Sequence, residues 1–137
     1  MNLRIVDTHS REDINTLFKL LAERTGEQAI SHKKMPTFGE HTRFVKSCPY
    51  QVWYLITDGG EPVGATYLTH ANELGIFVFN RHKGKGYGKG AILEMLRRFE
   101  PPFYANINPA NEASRKFFES LGFKFIQTTY AYGGDDA

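Results

Sequence analysis

ELGIFVFNRHKGKGYGKGAILEMLRRF, residues 73–99, is the stretch around which the rest of the chain is read. Residues 74–79 form an apolar run rich in β-branched and aromatic side chains, which predicts a buried strand. Residues 80–85 are polar, basic and glycine-containing and predict a loop. From Tyr87 onward, Ile92, Leu93, Met95, Leu96 and Phe99 recur at helical spacing and predict one apolar helix face. Strand, glycine loop, helix is an arrangement suited to an anion. Gly84, Gly86 and Gly88 let the backbone turn tightly and approach a ligand with no Cβ in the way. The unpaired N–H groups of the first helical turn then face the anion, helped by the positive end of the helix dipole. Lys83, Lys85 and Lys89 add charge, and the interleaving of glycine with lysine points to phosphate rather than to an ordinary connection.

Three phosphate ligands compete. A mononucleotide P-loop requires Gly, four residues, then Gly-Lys-Ser/Thr. Placed on Gly88-Lys89, it fails at Lys83 and again at Gly90. A dinucleotide fingerprint fits nominally as Gly86-x-Gly88-x-x-Ala91. It also wants an acidic residue after the next strand, and the predicted strand there, which leads into Asn106 and Asn108, ends in asparagines. Coenzyme A is the third. Lys83-Gly84-Lys85-Gly86-Tyr87-Gly88 resembles the Q/R-x-x-G-x-G/A pyrophosphate loop of the GNAT superfamily of acetyl-CoA-dependent N-acetyltransferases, with Lys in the Q/R position. NEASRKFFESLGF, residues 111–123, is similar to that superfamily's second hallmark, N-x-x-S/A followed by an aromatic residue and L-G-F. The resemblance covers roughly residues 73–125 and implies an α/β (α+β) fold with a mixed, mostly antiparallel central sheet flanked by helices.

Composition agrees with a globular protein. The 137 residues are 41% apolar and 23% charged, and predict one domain over 1–137 with a proper core. The net charge of +2 is too small to argue for nucleic acid. Cys48 is the single cysteine, so an internal disulfide is excluded; it is read as a small buried or half-buried apolar residue. The N-terminus has no apolar core for export, and no run is long enough to span a bilayer. The expectation is a cytoplasmic protein with no membrane association, no metal and no nucleic-acid partner; a homodimer is left open.

Along the chain, residues 3–7 predict an edge strand and Ser10 an N-cap, with Ile14, Leu17, Phe18, Leu21 and Ala22 as a helix stripe ended by Gly26. Thr37 and Glu40 form a capping box for a second helix carrying Phe44 and Val45. Two strands, 51–57 and 62–69, flank the hairpin turn Asp58-Gly59-Gly60. Pro101-Pro102 stops the central helix, 103–107 predicts a strand, and 110–120 a helix closed by Gly122. Residues 123–132 read as a last strand. The superfamily usually has one more strand after it; here that strand is expected to be short or missing.

The resemblance also implies roles. The pyrophosphate would rest on the amides of residues 84–89, with Lys83, Lys85 and Lys89 near it and Tyr87 within the loop. The pantetheine arm would lie along Ile76, Phe77 and Val78 as an added strand, and Asn111 would meet it near the thiol end, with Asn108 a further cofactor-binding candidate. A backbone N–H of Ile76 or Phe77 would face the acetyl carbonyl. An ammonium acceptor must first lose a proton. Glu73 opens the core strand and is the first candidate base, His70 the rival. Many family members carry a tyrosine where this chain has Phe118; either the thiolate leaves unaided or Tyr130, Tyr132 or Tyr104 supplies the proton. His32, Lys33, Lys34, His41, Arg43 and Lys46 make the acceptor side basic, so the small-molecule amine acceptor is expected to be anionic, such as a nucleotide-linked amino sugar. A protein N-terminal or polyamine acetyltransferase, and a coenzyme A-binding module without catalysis, stay open.

Overall fold

The structure, a computed structural model, describes residues 1–24 and 35–133. Gly26, His32, Lys33 and Lys34 lie outside the described residues. The elements run β1 (Asn2–Ile5), α1 (Arg11–Ala22), α2 (Phe38–Lys46), β2 (Val52–Asp58), β3 (Glu61–Leu68), β4 (Glu73–Val78), a 3-10 turn (Asn80–His82), α3 (Tyr87–Arg98), β5 (Tyr104–Ala105) and α4 (Glu112–Ser120). The strands form one sheet in sequence order, antiparallel from β1 to β4, with β5 parallel to β4.

Local chemistry places these elements. Ser10 caps α1 by accepting the Asp13 N–H at 3.2 Å, and Thr37 and Glu40 close a reciprocal capping box on α2. Gly59 and Gly60 both have positive φ, 59° and 84°, as a two-residue hairpin turn demands when Asp58 pairs with Glu61. That turn fixes the β2–β3 register. A buried carboxylate pins the first strand to the first helix: Asp13 accepts two bonds from Arg4, at 2.9 and 3.1 Å, and one from the Asp7 N–H. Burial pushes the Asp13 carboxyl up, and these partners more than offset it, leaving its pKa below the usual value.

The sheet has two covered faces. On one, Leu55 and Ala65 pack with Ile14, Leu17 and Leu20 of α1 and Val45 of α2. On the other, Tyr54, Leu68 and Leu74 pack with Ile92 and Met95 of α3 and Phe118 of α4. Fully burying one such side chain contributes about 1.5–3 kcal/mol.

Five sequence expectations change. Residues 123–132 are not a strand: the Phe123 N–H returns to the Phe118 carbonyl at 3.1 Å, after which the segment is exposed, with Phe125 82% and Tyr130 92% accessible. A strand needs a ladder partner, and this segment has none among the described residues. The predicted strand 103–107 shortens to Tyr104–Ala105, because β5 leaves β4 after two residue pairs. The apolar face of α3 is rotated, with Ala91, Ile92 and Met95 buried and Leu93 exposed. Cys48 is exposed, at a positive φ of 52° just past α2, where little packs over it. His41 is not on a basic face: it is buried between α1 and α2, and its Nε2–H donates to the Ile14 carbonyl at 3.1 Å.

Candidate active site

The short pairing of β5 makes the site. The strands hold Glu73 opposite Tyr104 and Leu74 opposite Ala105, then diverge. Asn72 sets this geometry. Its side-chain amide donates to the carbonyls of Glu100 and Pro102, and its own carbonyl accepts the Tyr104 N–H. Past Leu74 a cleft of about 590 Å³ opens, with Ile76, Phe77 and Val78 on one side and Asn106, Ile107 and Asn108 on the other. Alternate residues of β4 direct N–H and C=O groups away from β3, and in the cleft these meet no strand among the described residues. An extended ligand could take the place of a strand there.

One end of the cleft is the start of α3. Gly84 and Gly86 adopt positive φ, 81° and 84°, and Gly86 is the N-cap. No side chain caps this helix; the Gly90 N–H closes the first turn on the Gly86 carbonyl, so the N–H groups of Tyr87, Gly88 and Lys89 precede the first helical bond. Lys83 and Lys89 line the cleft, whereas Lys85 is exposed outside it. The Tyr87 hydroxyl is hydrogen-bonded to Asp58, which ties the loop to the β2–β3 hairpin.

At the other end, the Glu73 carboxylate is held by Asn106 Nδ2, donating at 2.6 Å, and Thr69 Oγ1, donating at 3.3 Å. Asn106 lines the cleft, so Glu73 reaches it through that residue. Asn111 lines the cleft as well, and also caps α4, its Oδ1 accepting the Ser114 N–H at 3.1 Å. His70 is an exposed residue of the β3–β4 turn, and Tyr130 is almost fully exposed; neither lines the cleft, and nor do Tyr104 and Tyr132. Of the sequence candidates the structure thus brings together Ile76, Phe77, Val78, Lys83, Gly84, Gly86, Tyr87, Gly88, Lys89, Asn108 and Asn111, with Glu73 one side chain away.

Four participants were not singled out from sequence. Asn106 holds Glu73. Tyr67 lies in the cleft with its ring stacked on Tyr50, centroids 4.0 Å apart and planes within 4°. Arg24, following α1, places its guanidinium 4.5 Å from the centre of the Phe77 ring. Burial pushes the hydroxyl pKa of both Tyr50 and Tyr67 up, so both stay neutral. Only the β3–β4 register could have pointed to Tyr67, by setting it opposite Gly75.

The family model for the acetyltransferase (GNAT) domain matches residues 3–124. The chain belongs to the GNAT acetyltransferases. Over 73 residues it is 32% identical to the peptidyl-lysine N-acetyltransferase YjaB of Salmonella typhimurium, a match spanning 53% of this chain and 50% of that protein. Among solved structures it resembles an acetyltransferase from Thermus thermophilus, with a TM-score of 0.71 and 21% identity over 92% of this chain and 88% of the other. A transcriptional regulator from Bacillus halodurans is equally similar in shape, with a TM-score of 0.71 and 17% identity over 97% and 99% of the two chains. Likeness at that identity establishes the GNAT fold, not the acceptor. Membership implies acetyl-CoA as co-substrate. Among the described residues no helix is long and apolar enough to cross a membrane.

Proposed function

We propose that this chain is an acetyl-CoA-dependent N-acetyltransferase in which a primary amine attacks the thioester directly. The observation that carries this reading is the continuity of the cleft. It runs from unpaired amides at the start of α3, along the open edge of β4, to Asn106, which holds the Glu73 carboxylate at the β4–β5 junction. A pyrophosphate suits the first, a pantetheine arm the second, and an amine that must lose a proton the third.

Each residue then has a task. The amides of Tyr87, Gly88 and Lys89, with Lys83, hold the pyrophosphate. The free edge groups of Ile76 and Val78 hydrogen-bond the arm, and Phe77 between them is bonded to β3. The backbone N–H of Ile76, which the β3–β4 ladder leaves free, faces the acetyl oxygen as it gains charge; such a donor contributes about 3–4 kcal/mol where it has been removed in other enzymes. Glu73, oriented by Asn106, takes the amine's proton directly or through one water. The nitrogen–carbon bond forms as the carbon–sulfur bond breaks, and the thiolate takes a proton from solvent. Phe118 cannot supply that proton and is buried in the core.

The acceptor is a second matter. A nucleotide-linked amino sugar would need cations; on α2, Arg43 and Lys46 are exposed, while His41 is committed to the helix interface. A lysine side chain, the acceptor named for YjaB, would need only the cleft and Glu73. Thiol release from acetyl-CoA, measured with nucleotide amino sugars, lysine peptides, peptide N-termini and polyamines in parallel, tests the reading. Coenzyme A binding without turnover of any amine would reduce the chain to a binding module.

A further inference from the structure

We propose that Tyr67 is an acceptor-binding residue, its hydroxyl hydrogen-bonding the incoming amine beside Glu73; this rests on the N-acetyltransferase reading above. Three placements carry it. Tyr67 stands opposite Gly75, the first β4 residue beyond the last pair with β5, so it sits where the cleft begins to open. Its ring crosses the β4 backbone there: a Cβ on residue 75 would come within 2.6 Å of the hydroxyl oxygen. Side chains two apart on a strand share a face, and the Thr69 N–H bonds the Glu73 carbonyl directly across the ladder. Glu73 and Tyr67 therefore lie on one face of the sheet, and the Glu73 charge acts on the Tyr67 hydroxyl.

The surroundings hold the hydroxyl ready. Tyr50 stacks on the ring, with centroids 4.0 Å apart and planes within 4°. The Arg24 charge acts on the same oxygen from the α1 side. A stacked, half-buried ring has little rotamer freedom to lose, so a neutral amine would meet a preorganised partner. An ordinary core tyrosine would be enclosed; this one lines the cleft, on the face away from α3 and the phosphate loop.

Tyr67→Phe tests it, since the stack on Tyr50 survives and only the hydroxyl is lost. The probes are a peptide with one internal lysine, spermidine and glucosamine 6-phosphate. Binding of each to the protein saturated with coenzyme A is measured by calorimetry, beside steady-state acetyl transfer. Loss of one such hydrogen bond corresponds to about tenfold or more. We expect the amine Kd, and the amine KM where turnover occurs, to rise at least that much. The acetyl-CoA KM, the coenzyme A Kd and the melting temperature should stay put. Unchanged amine affinity in Tyr67→Phe overturns the assignment, as does a wild-type coenzyme A complex that binds none of the three amines. Amine binding that depends on Tyr67 without any acetyl transfer would sustain the Tyr67 assignment and overturn the transferase reading instead.

Discussion

The Tyr67 ring lies across Gly75 so closely that a Cβ at position 75 would fall 2.1 Å from the ring carbon bearing the hydroxyl. Glycine here is a steric requirement of the pair, not of a turn. Gly75→Ala should destabilise the protein by about 1–3 kcal/mol, as overpacking does. In a Tyr67→Ala background the added methyl has room, and the penalty should vanish. A double-mutant cycle by denaturant unfolding checks this; additive penalties would mean that the backbone at Gly75, rather than the ring, resists the substitution.

The phosphate end depends on a different glycine property. Gly86 holds φ at 84° as the N-cap of α3, a conformation that β-branched residues avoid. Gly86→Val should weaken acetyl-CoA binding by tenfold or more in calorimetry, while the circular-dichroism spectrum stays native. Unaltered affinity would move the pyrophosphate elsewhere.

Glu73→Gln keeps shape and removes basicity. General bases contribute typically 10²–10⁴-fold. The variant should lose that much near neutral pH and recover as pH rises and free amine becomes abundant. Asn106→Ala, which releases the carboxylate, should show a smaller loss with the same pH trend. A Glu73→Gln profile parallel to wild type, at a similar rate, would assign the proton to solvent.

Asn111 has two duties that substitutions separate. Asn111→Ala removes the α4 cap and should cost about 0.5–2 kcal/mol. Asn111→Ser keeps a capping oxygen and should restore most of that stability. If the amide also meets the pantetheine arm, the acetyl-CoA KM should stay raised in both variants; a KM that recovers with stability would leave Asn111 a cap alone.

His41 makes stability depend on pH. Burial lowers its pKa below the ordinary 6.5, with the Ile14 carbonyl opposing. The unfolded state then binds the proton more readily, so stability rises with pH through this window. The contribution is complete above about 6.5, the reference value for histidine. It is lost as pH falls from there toward the folded pKa. Melting temperatures across this range should drop on acidification in wild type and drop less in His41→Gln, which can still donate to Ile14. Equal slopes would place the titration elsewhere.

Sequence alone determined the parts of this protein whose causes are local. Capping at Ser10 and at Thr37 with Glu40, the Gly59-Gly60 turn and the strand–glycine loop–helix unit each rest on a few neighbouring residues, whose chemistry acts over one or two turns of chain. The two motifs carried the family and most of the cleft lining with them, because ligand-binding backbone leaves a glycine signature. Tertiary structure decided what depends on residues far apart in the chain. His41 reads as one of a basic cluster until α1 packs over it and supplies a carbonyl. Residues 123–132 read as a last strand, but the reading cannot provide a ladder partner. Tyr67 and Asn106 carry no motif; only the β3–β4 register and the two-residue pairing of β4 with β5 bring them to one vertex with Gly75 and Glu73. The physical reason is that a side chain's neighbours across a sheet are set by register and divergence of strands, and neither is written in the residues on which they act.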